Sequence, residues 1–293
     1  MKRRSFLSFS VLSPLLAKPT IGLLAQNSSV DKNVGNQNAE SVKLLAAIVN
    51  AAQMGQWSSL PIGERMIKVA QYFVDVPYVG GTLEGAPEAC RIDLAGMDCV
   101  TFFENTLDIA RMLAHGGSTI NDLRREVTFT RYRHGTLNGY VSRLHYTADW
   151  IADNIEKKVV TDVTPQLGGV PFKVNVSFMS THPQYYRPLQ EQPSLIETMG
   201  AIEIAINKIP RLYIPRNSIR GIEHKLQSGD IIAIATSKDG LDYAHTGLIH
   251  VVSGEARFMH ASSSQKKVVL DRTISEYVNS VASHAGITVV RPV

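Results

Sequence analysis

Cys99 directly follows Asp98 and heads the apolar run Val100-Thr101-Phe102-Phe103. A cysteine at the first turn of a helix is a candidate nucleophile, because unpaired N–H groups and the positive end of the dipole favour thiolate over a thiol of ordinary pKa about 8.5. The same N–H groups can hold an oxyanion. A thiol nucleophile needs a base within hydrogen-bond reach, and the base needs a third group to fix its tautomer. Among nine histidines, His245 opens the run His245-Thr-Gly-Leu-Ile-His-Val-Val, and His260 closes the run that begins at Ala256. Ser253-Gly254 between them reads as a two-residue turn. That register sets His260 opposite Gly247 and diagonal to His245 on one sheet face, with room left by the missing side chain of Gly247. His250 has the opposite parity and faces away, which weakens a His245, His250 and His260 metal site. No metal is expected. The other cysteine, Cys90, is read as a bystander, although a Cys90–Cys99 disulfide would disable the nucleophile. Two cysteines are too few for a disulfide scaffold and wrongly spaced for a zinc clip.

The elements that must position these residues follow from hydrophobic period. Apolar residues three and four apart predict helices over 44–54 and 62–74, and a third entered through Asp98 and stopped by Gly116-Gly117. Further helical patterns cover 120–127, 147–156 and 194–209, the last stopped by Pro210. A loop containing glycine and proline spans 75–96. From residue 230 the period changes: 230–235, 244–252, 256–261, 267–270 and 286–291 are short β-rich runs between Gly, Ser and Asp. Helices first and strands later predict an α+β fold with an antiparallel sheet. The chemistry draws on both halves, so 41–293 is read as a single domain.

The chain has 293 residues, 44% of them hydrophobic and 19% charged, which suits a globular core and excludes wholesale disorder. Its formal charge is +4. Lys2, Arg3, Arg4 and Lys18 lie before residue 26 with no acid to offset them, so the remainder is neutral and nucleic acid is set aside as a partner. Lys-Arg-Arg followed by apolar residues is the order of an export signal, read over 1–25, with Arg3-Arg4 resembling a twin-arginine signal. Interruption by Lys18, Pro19 and Thr20 argues against a membrane span. Residues 26–40 read as a polar linker. The expected location is therefore the periplasm or cell envelope.

The strings Tyr78-Val-Gly-Gly-Thr82, Asp98-Cys-Val-Thr-Phe102, Gly229-Asp230, His245-Thr-Gly-Leu248 and His260-Ala-Ser262 resemble, in order and most spacings, the NlpC family of bacterial cell-wall cysteine hydrolases. That resemblance implies a circularly rearranged, papain-like fold, here with a large insertion between the cysteine helix and the sheet. It also implies Cys99 as nucleophile, His245 as base, His260 as its orienting partner and Tyr78 as a hydroxyl near the oxyanion. Thr82-Leu-Glu84, Arg131-Tyr-Arg133, Ser142-Arg-Leu-His-Tyr146, Phe178-Met-Ser180 and His260-Ala-Ser-Ser263 are similar to an amidase branch first catalogued as a domain of unknown function. Membership there implies cleavage of the amide between the muramic lactyl group and L-alanine of peptidoglycan or muropeptides, through a thioester. No cofactor is implied.

Residues 131–146 concentrate Arg131, Arg133, Arg143, His145 and Tyr146. They read either as a solvated face or as guanidinium groups that dock the carboxylates of a stem peptide. Glu84 is a candidate for the substrate amine, and Asp98 and Ser180, carried in the resembling strings, complete the expected substrate-binding set. Two other readings stay open: an endopeptidase cutting the stem after D-Glu, and a non-catalytic wall-binding module.

Overall fold

The computed structural model describes residues 27–293, with side chains from Ala39 onward; the expected export signal lies outside the described residues. The first helix, α1 (Asn27–Met54), starts upstream of the predicted 44–54 and runs through the segment expected to be a linker. That segment holds no proline, and its one glycine, Gly35, costs a helix only about 1 kcal/mol. Among the described side chains, packing begins at the fully buried Ser41, whose hydroxyl accepts from Leu94 N–H at 2.9 Å.

Helix α2 (Ile62–Gln71) is followed by turns through Asp75, and α3 (Cys99–Ala114) begins at the predicted residue. Then come α4 (Ile120–Arg131), α5 (Thr147–Glu156), the short strands β1 (Val160–Asp162) and β2 (Val170–Pro171), α6 (Phe178–Thr181), α7 (Arg187–Glu191) and α8 (Ser194–Asn207). Strand β3 (Leu212–Pro215) and α9 (Ile219–Ile222) lead into β4 (Ile231–Thr236), β5 (Tyr243–Val252), β6 (Glu255–Ser262) and β7 (Lys267–Thr273). The chain closes with α10 (Ile274–Asn279) and β8 (His284–Pro292). Among the described residues, the pairings between these strands are all antiparallel, in the order β2-β3-β8-β4-β5-β6-β7, with β1 added alongside β8. This is the predicted α+β architecture. Strands β1 to β3 and helix α10 were not foreseen, because runs of two to six residues are too short to show a period.

The sheet is covered on both faces. Leu248, Met259, Ala261, Ile231 and Val290 pack with Phe102, Phe103 and Leu107 of α3, whereas Ile232, Ile234, Ile249, Phe258 and Val289 pack with Ile274 and Val278 of α10. Strand β4 is therefore buried at every position and reads Ile-Ile-Ala-Ile-Ala-Thr without alternation. Each fully buried Phe, Leu or Ile contributes about 1.5–3 kcal/mol, so α3 is held on the sheet by its middle and its first turn is fixed in place. Gly229 is required by close approach: at φ +90°, a Cβ there would lie 2.3 Å from Cα of Gly63 in α2. The adjacent Asp230 is buried and takes two hydrogen bonds from Arg291, at 2.7 and 2.9 Å. The Gly229-Asp230 pair thus locks the entrance of β4 to α2 and β8. Among the described residues, no helix is long and apolar enough to cross a membrane.

Candidate active site

Cys99 is the first residue of α3 because Asp98 caps it. The Asp98 carboxylate accepts from Val100 N–H at 3.0 Å, Thr101 N–H at 2.8 Å and the Thr101 hydroxyl at 2.9 Å, and Thr101 Oγ1 in turn accepts from Asp98 N–H. This capping box defines the helix start, but it also consumes two of the N–H groups expected to serve the sulfur. Burial, and secondarily the Asp98 charge, push the Cys99 thiol up to about 12, against hydrogen bonds from Thr246 that act to lower it. The expected thiolate at a helix N-terminus is corrected accordingly: burial first, and Asp98 beside it second, favour the neutral thiol. Asp98 is occupied in shaping the backbone.

The histidine hairpin has the predicted register. Leu248 pairs with Met259, which sets His260 opposite Gly247, and the two turn residues Ser253 and Gly254 both take positive φ, 52° and 84°. Primed turns of this kind match the twist of the strands they join. His245 Nε2 lies 2.7 Å from His260 Nδ1, with ring centroids 4.8 Å apart and planes nearly perpendicular. A Cβ at position 247 would meet the Phe258 ring at 2.6 Å, so Gly247 makes room for the aromatic ring stacked on His260 at 4.7 Å. Beyond His260, Nε2 faces Asp271 Oδ2 at 3.5 Å. Tyr277 of α10 closes over both histidines, 5.9 Å from the His245 ring and 4.8 Å from the His260 ring.

The hairpin and the cysteine helix are tied by the residue that follows His245. Thr246 donates its hydroxyl to the Cys99 carbonyl at 2.8 Å. Tyr277 is electrostatically coupled to Cys99 as well: its phenol is raised first by burial and then by that coupling. Burial drives His245 well below its ordinary value, with His260 and His284 adding to the effect, and lowers His260 to about 4 despite the opposing pull of Asp271. Both imidazoles are neutral at pH 7. A neutral imidazole pair under an aromatic lid, on a hairpin tied through Thr246 to the backbone of Cys99, is a set of groups suited to acyl transfer by a thiol whose proton moves as the sulfur attacks.

Tyr78 lies in the loop beside the helix entrance: it bridges to Met97, Val79 N–H donates to Met97 O at 2.9 Å, and Met97 N–H donates to Pro77 O at 3.1 Å. Cys90 and Cys99 are both free thiols, and Cys90 Sγ is directed to the Arg124 carbonyl. Among the described residues, His134, Asp153 and Glu156 have potential ligand atoms within 4.8 Å of one another, but Lys157 already neutralises Asp153.

The expected substrate-binding arginines are committed to internal partners. Arg131 is 2% exposed and closes on Glu104 at 2.8 Å and on the Arg91 carbonyl, so it is a core ion pair. Arg133 makes a two-pronged pair with Asp149, at 2.9 and 2.6 Å. Arg143, 4% exposed, holds Glu84 at 2.9 Å and Glu88 at 3.5 Å over the Tyr140 ring. His145 lies against the Tyr140 ring at a tilt of 47°, contacts the Tyr140 carbonyl at 2.9 Å, and is pushed well below the usual histidine range, first by burial and then by Arg143. Tyr146 donates to Glu203 at 2.6 Å, and Ser180 gives the same carboxylate both its N–H and its hydroxyl. Of the set, Glu84 keeps an open side chain, 40% exposed. Sequence reasoning missed Asp271, Tyr277, Thr246 and Glu203. Thr246 was within reach, since it immediately follows His245.

A family model described as N-acetylmuramoyl-L-alanine amidase-like, AmiA-like, matches residues 68–287. The chain belongs to this amidase-like family. The family is one of peptidoglycan hydrolases, and the matched residues include Cys99, His245 and His260. The amidase-like chain is similar to a crystal structure of an N-acetylmuramoyl-L-alanine amidase from Bacteroides uniformis, at 32% identity over 79% of this chain and 99% of that one, TM-score 0.75. A Bacteroides fragilis structure named provisionally as a xylanase is similar at 34% identity over 76% and 98%, TM-score 0.71. A Legionella pneumophila protein shares the fold at 19% identity, TM-score 0.69, over 88% of this chain and 96% of that one. No curated protein is a significant match.

Proposed function

We propose that the chain is a cysteine-dependent N-acetylmuramoyl-L-alanine amidase, with Cys99 as nucleophile, His245 as base and His260 as its orienting partner. The observation that carries this reading is the 2.7 Å contact between the two imidazoles on a hairpin whose next residue, Thr246, is bonded to Cys99. The Cys99 sulfur attacks the lactyl carbonyl while His245 takes the thiol proton. The C–N bond then breaks, and the imidazolium returns that proton to the departing L-alanine nitrogen. Water attacks the resulting thioester with His245 again as base, which releases the lactyl carboxylate and restores the thiol. Tyr78 donates toward the developing oxyanion, and Glu84 receives a substrate amine. Arg143 acts through Glu84, not by direct contact.

The fold reading is a papain-like, NlpC-type arrangement with a large insertion between the cysteine helix and Gly229, and the enzyme works in the cell envelope after export of the chain. Xylan cleavage would ask for two carboxyl groups facing a sugar; thiol, imidazole and phenol gathered together favour acyl transfer. Mass spectrometry of the products from a defined muropeptide tests the bond assignment. Intact stem peptide plus free muramic sugar is the expected pair, and a stem shortened after D-Glu would replace the amidase with an endopeptidase.

A further inference from the structure

Asp271 stands where strand geometry gives it access to His260. In the β6–β7 pair, His260 faces Val269 and Met259 faces Leu270, so Asp271 lies two residues beyond Val269 on the His260 face. Its carboxylate is held from behind: Arg272 N–H donates to Oδ1 at 2.7 Å, Arg272 Nε to Oδ1 at 3.3 Å, and Gln265 Nε2 to Oδ2 at 3.2 Å. Burial works to raise its pKa, but the Arg272 and His260 hydrogen bonds keep it below the usual carboxylate range, so it is ionised and can only accept. The polar side chains facing His260 are His245 from β5, Asp271 from β7 and Tyr277 from α10, and the Ala261 backbone also hydrogen-bonds to its ring.

We propose that Asp271 is a positioning residue that sets the tautomers of both histidines and thereby makes Nδ1 of His245 the proton acceptor. This rests on the reading of Cys99 and His245 as nucleophile and base. A neutral imidazole has one N–H and one lone pair. With an acceptor-only carboxylate at His260 Nε2, the proton of His260 sits on Nε2 and its Nδ1 carries the lone pair. His260 Nδ1 then accepts from His245 Nε2–H, and the lone pair of His245 is left on Nδ1. Without Asp271 the pair can reverse, with His260 Nδ1–H donating to His245 Nε2. His245 then carries its proton on Nδ1 and has no free lone pair for the thiol. The 3.5 Å separation between Asp271 and His260 is long, as catalytic hydrogen bonds often are before substrate binds.

Nitrogen-15 NMR of the histidine rings in the wild-type protein at pH 7 reads the tautomers directly. The expected spectrum has protonated Nε2 and bare Nδ1 on both His245 and His260; a proton on Nδ1 of either overturns the proposal. Asp271→Ala should lower kcat about 100-fold with KM changed less than twofold, and should redistribute the His260 tautomer. Wild-type kcat in Asp271→Ala, alongside an inactive Cys99→Ala, overturns the role of Asp271 alone. Activity that survives in Cys99→Ala overturns the thiol reading instead, while the NMR spectra still decide the tautomers.

Discussion

In the β5–β6 hairpin two neutral imidazoles face each other, and the carboxylate near them, Asp271, stands behind His260 at 3.5 Å. In segment 131–146 each arginine is met by a carboxylate: Arg131 by Glu104, Arg133 by Asp149, Arg143 by Glu84 and Glu88. Both regions concentrate residues capable of chemistry, but in the hairpin the two imidazoles meet each other, whereas each arginine is closed in an ion pair. Histidine parity along a strand pair is a local property that a two-residue turn fixes. Arginine partnership is settled by residues 16 to 59 positions away, which composition does not report. A dense charge cluster is therefore weaker evidence for a binding site than two histidines in register.

The hairpin side of this contrast predicts the largest effect. His245→Ala should lower kcat by about 10⁴-fold while the circular dichroism spectrum stays that of the wild type; a loss under tenfold would remove His245 as the base. The arginine side predicts a loss of folding, not of chemistry. Arg131→Ala strands Glu104 in the core and should cost about 3–5 kcal/mol in a urea titration. A stable variant with a raised KM would return Arg131 to the substrate site.

The pH dependence sharpens the comparison at intermediate size. His260 and His284 are both held at about 4, chiefly by burial, below the ordinary value near 6.5. As pH falls below 6.5 the unfolded chain takes up protons at these positions before the folded one does, so stability drops progressively until about pH 4. Urea midpoints at pH 7 and pH 5 should show the drop, and His284→Phe should reduce it. Because His245 is depressed as well, the acid limb of kcat/KM should fall below pH 6.5. A limb at or above 6.5 would mean that the imidazoles are not desolvated as the geometry requires. The smallest effect is expected at Cys90, a free thiol beside the Arg124 carbonyl: Cys90→Ser should change kcat less than twofold, with or without reductant.

Much of this arrangement was legible in the chain. The start of α3, the β5–β6 register and the α+β order all follow from patterns within a few residues: Asp98 before an apolar run, Ser253-Gly254 between alternating strands, a change of period near residue 230. Asp271 was missed because the apolar pattern of β7 stops at Leu270, one residue short of it. Tyr277 sits on a six-residue helix too short to display a period. The state of the thiol differs from the expectation for a physical reason: burial, which a short sequence pattern does not report, disfavours the thiolate, and the cap residue that places Cys99 at the helix start takes the N–H donors and adds to the effect.

The most direct test of the central claim is release of stem peptide from a defined muropeptide by wild type and by Cys99→Ala, followed by mass spectrometry. Release by the wild type and none by a folded Cys99→Ala is the predicted result; equal release by both would contradict the assignment of Cys99 as the nucleophile.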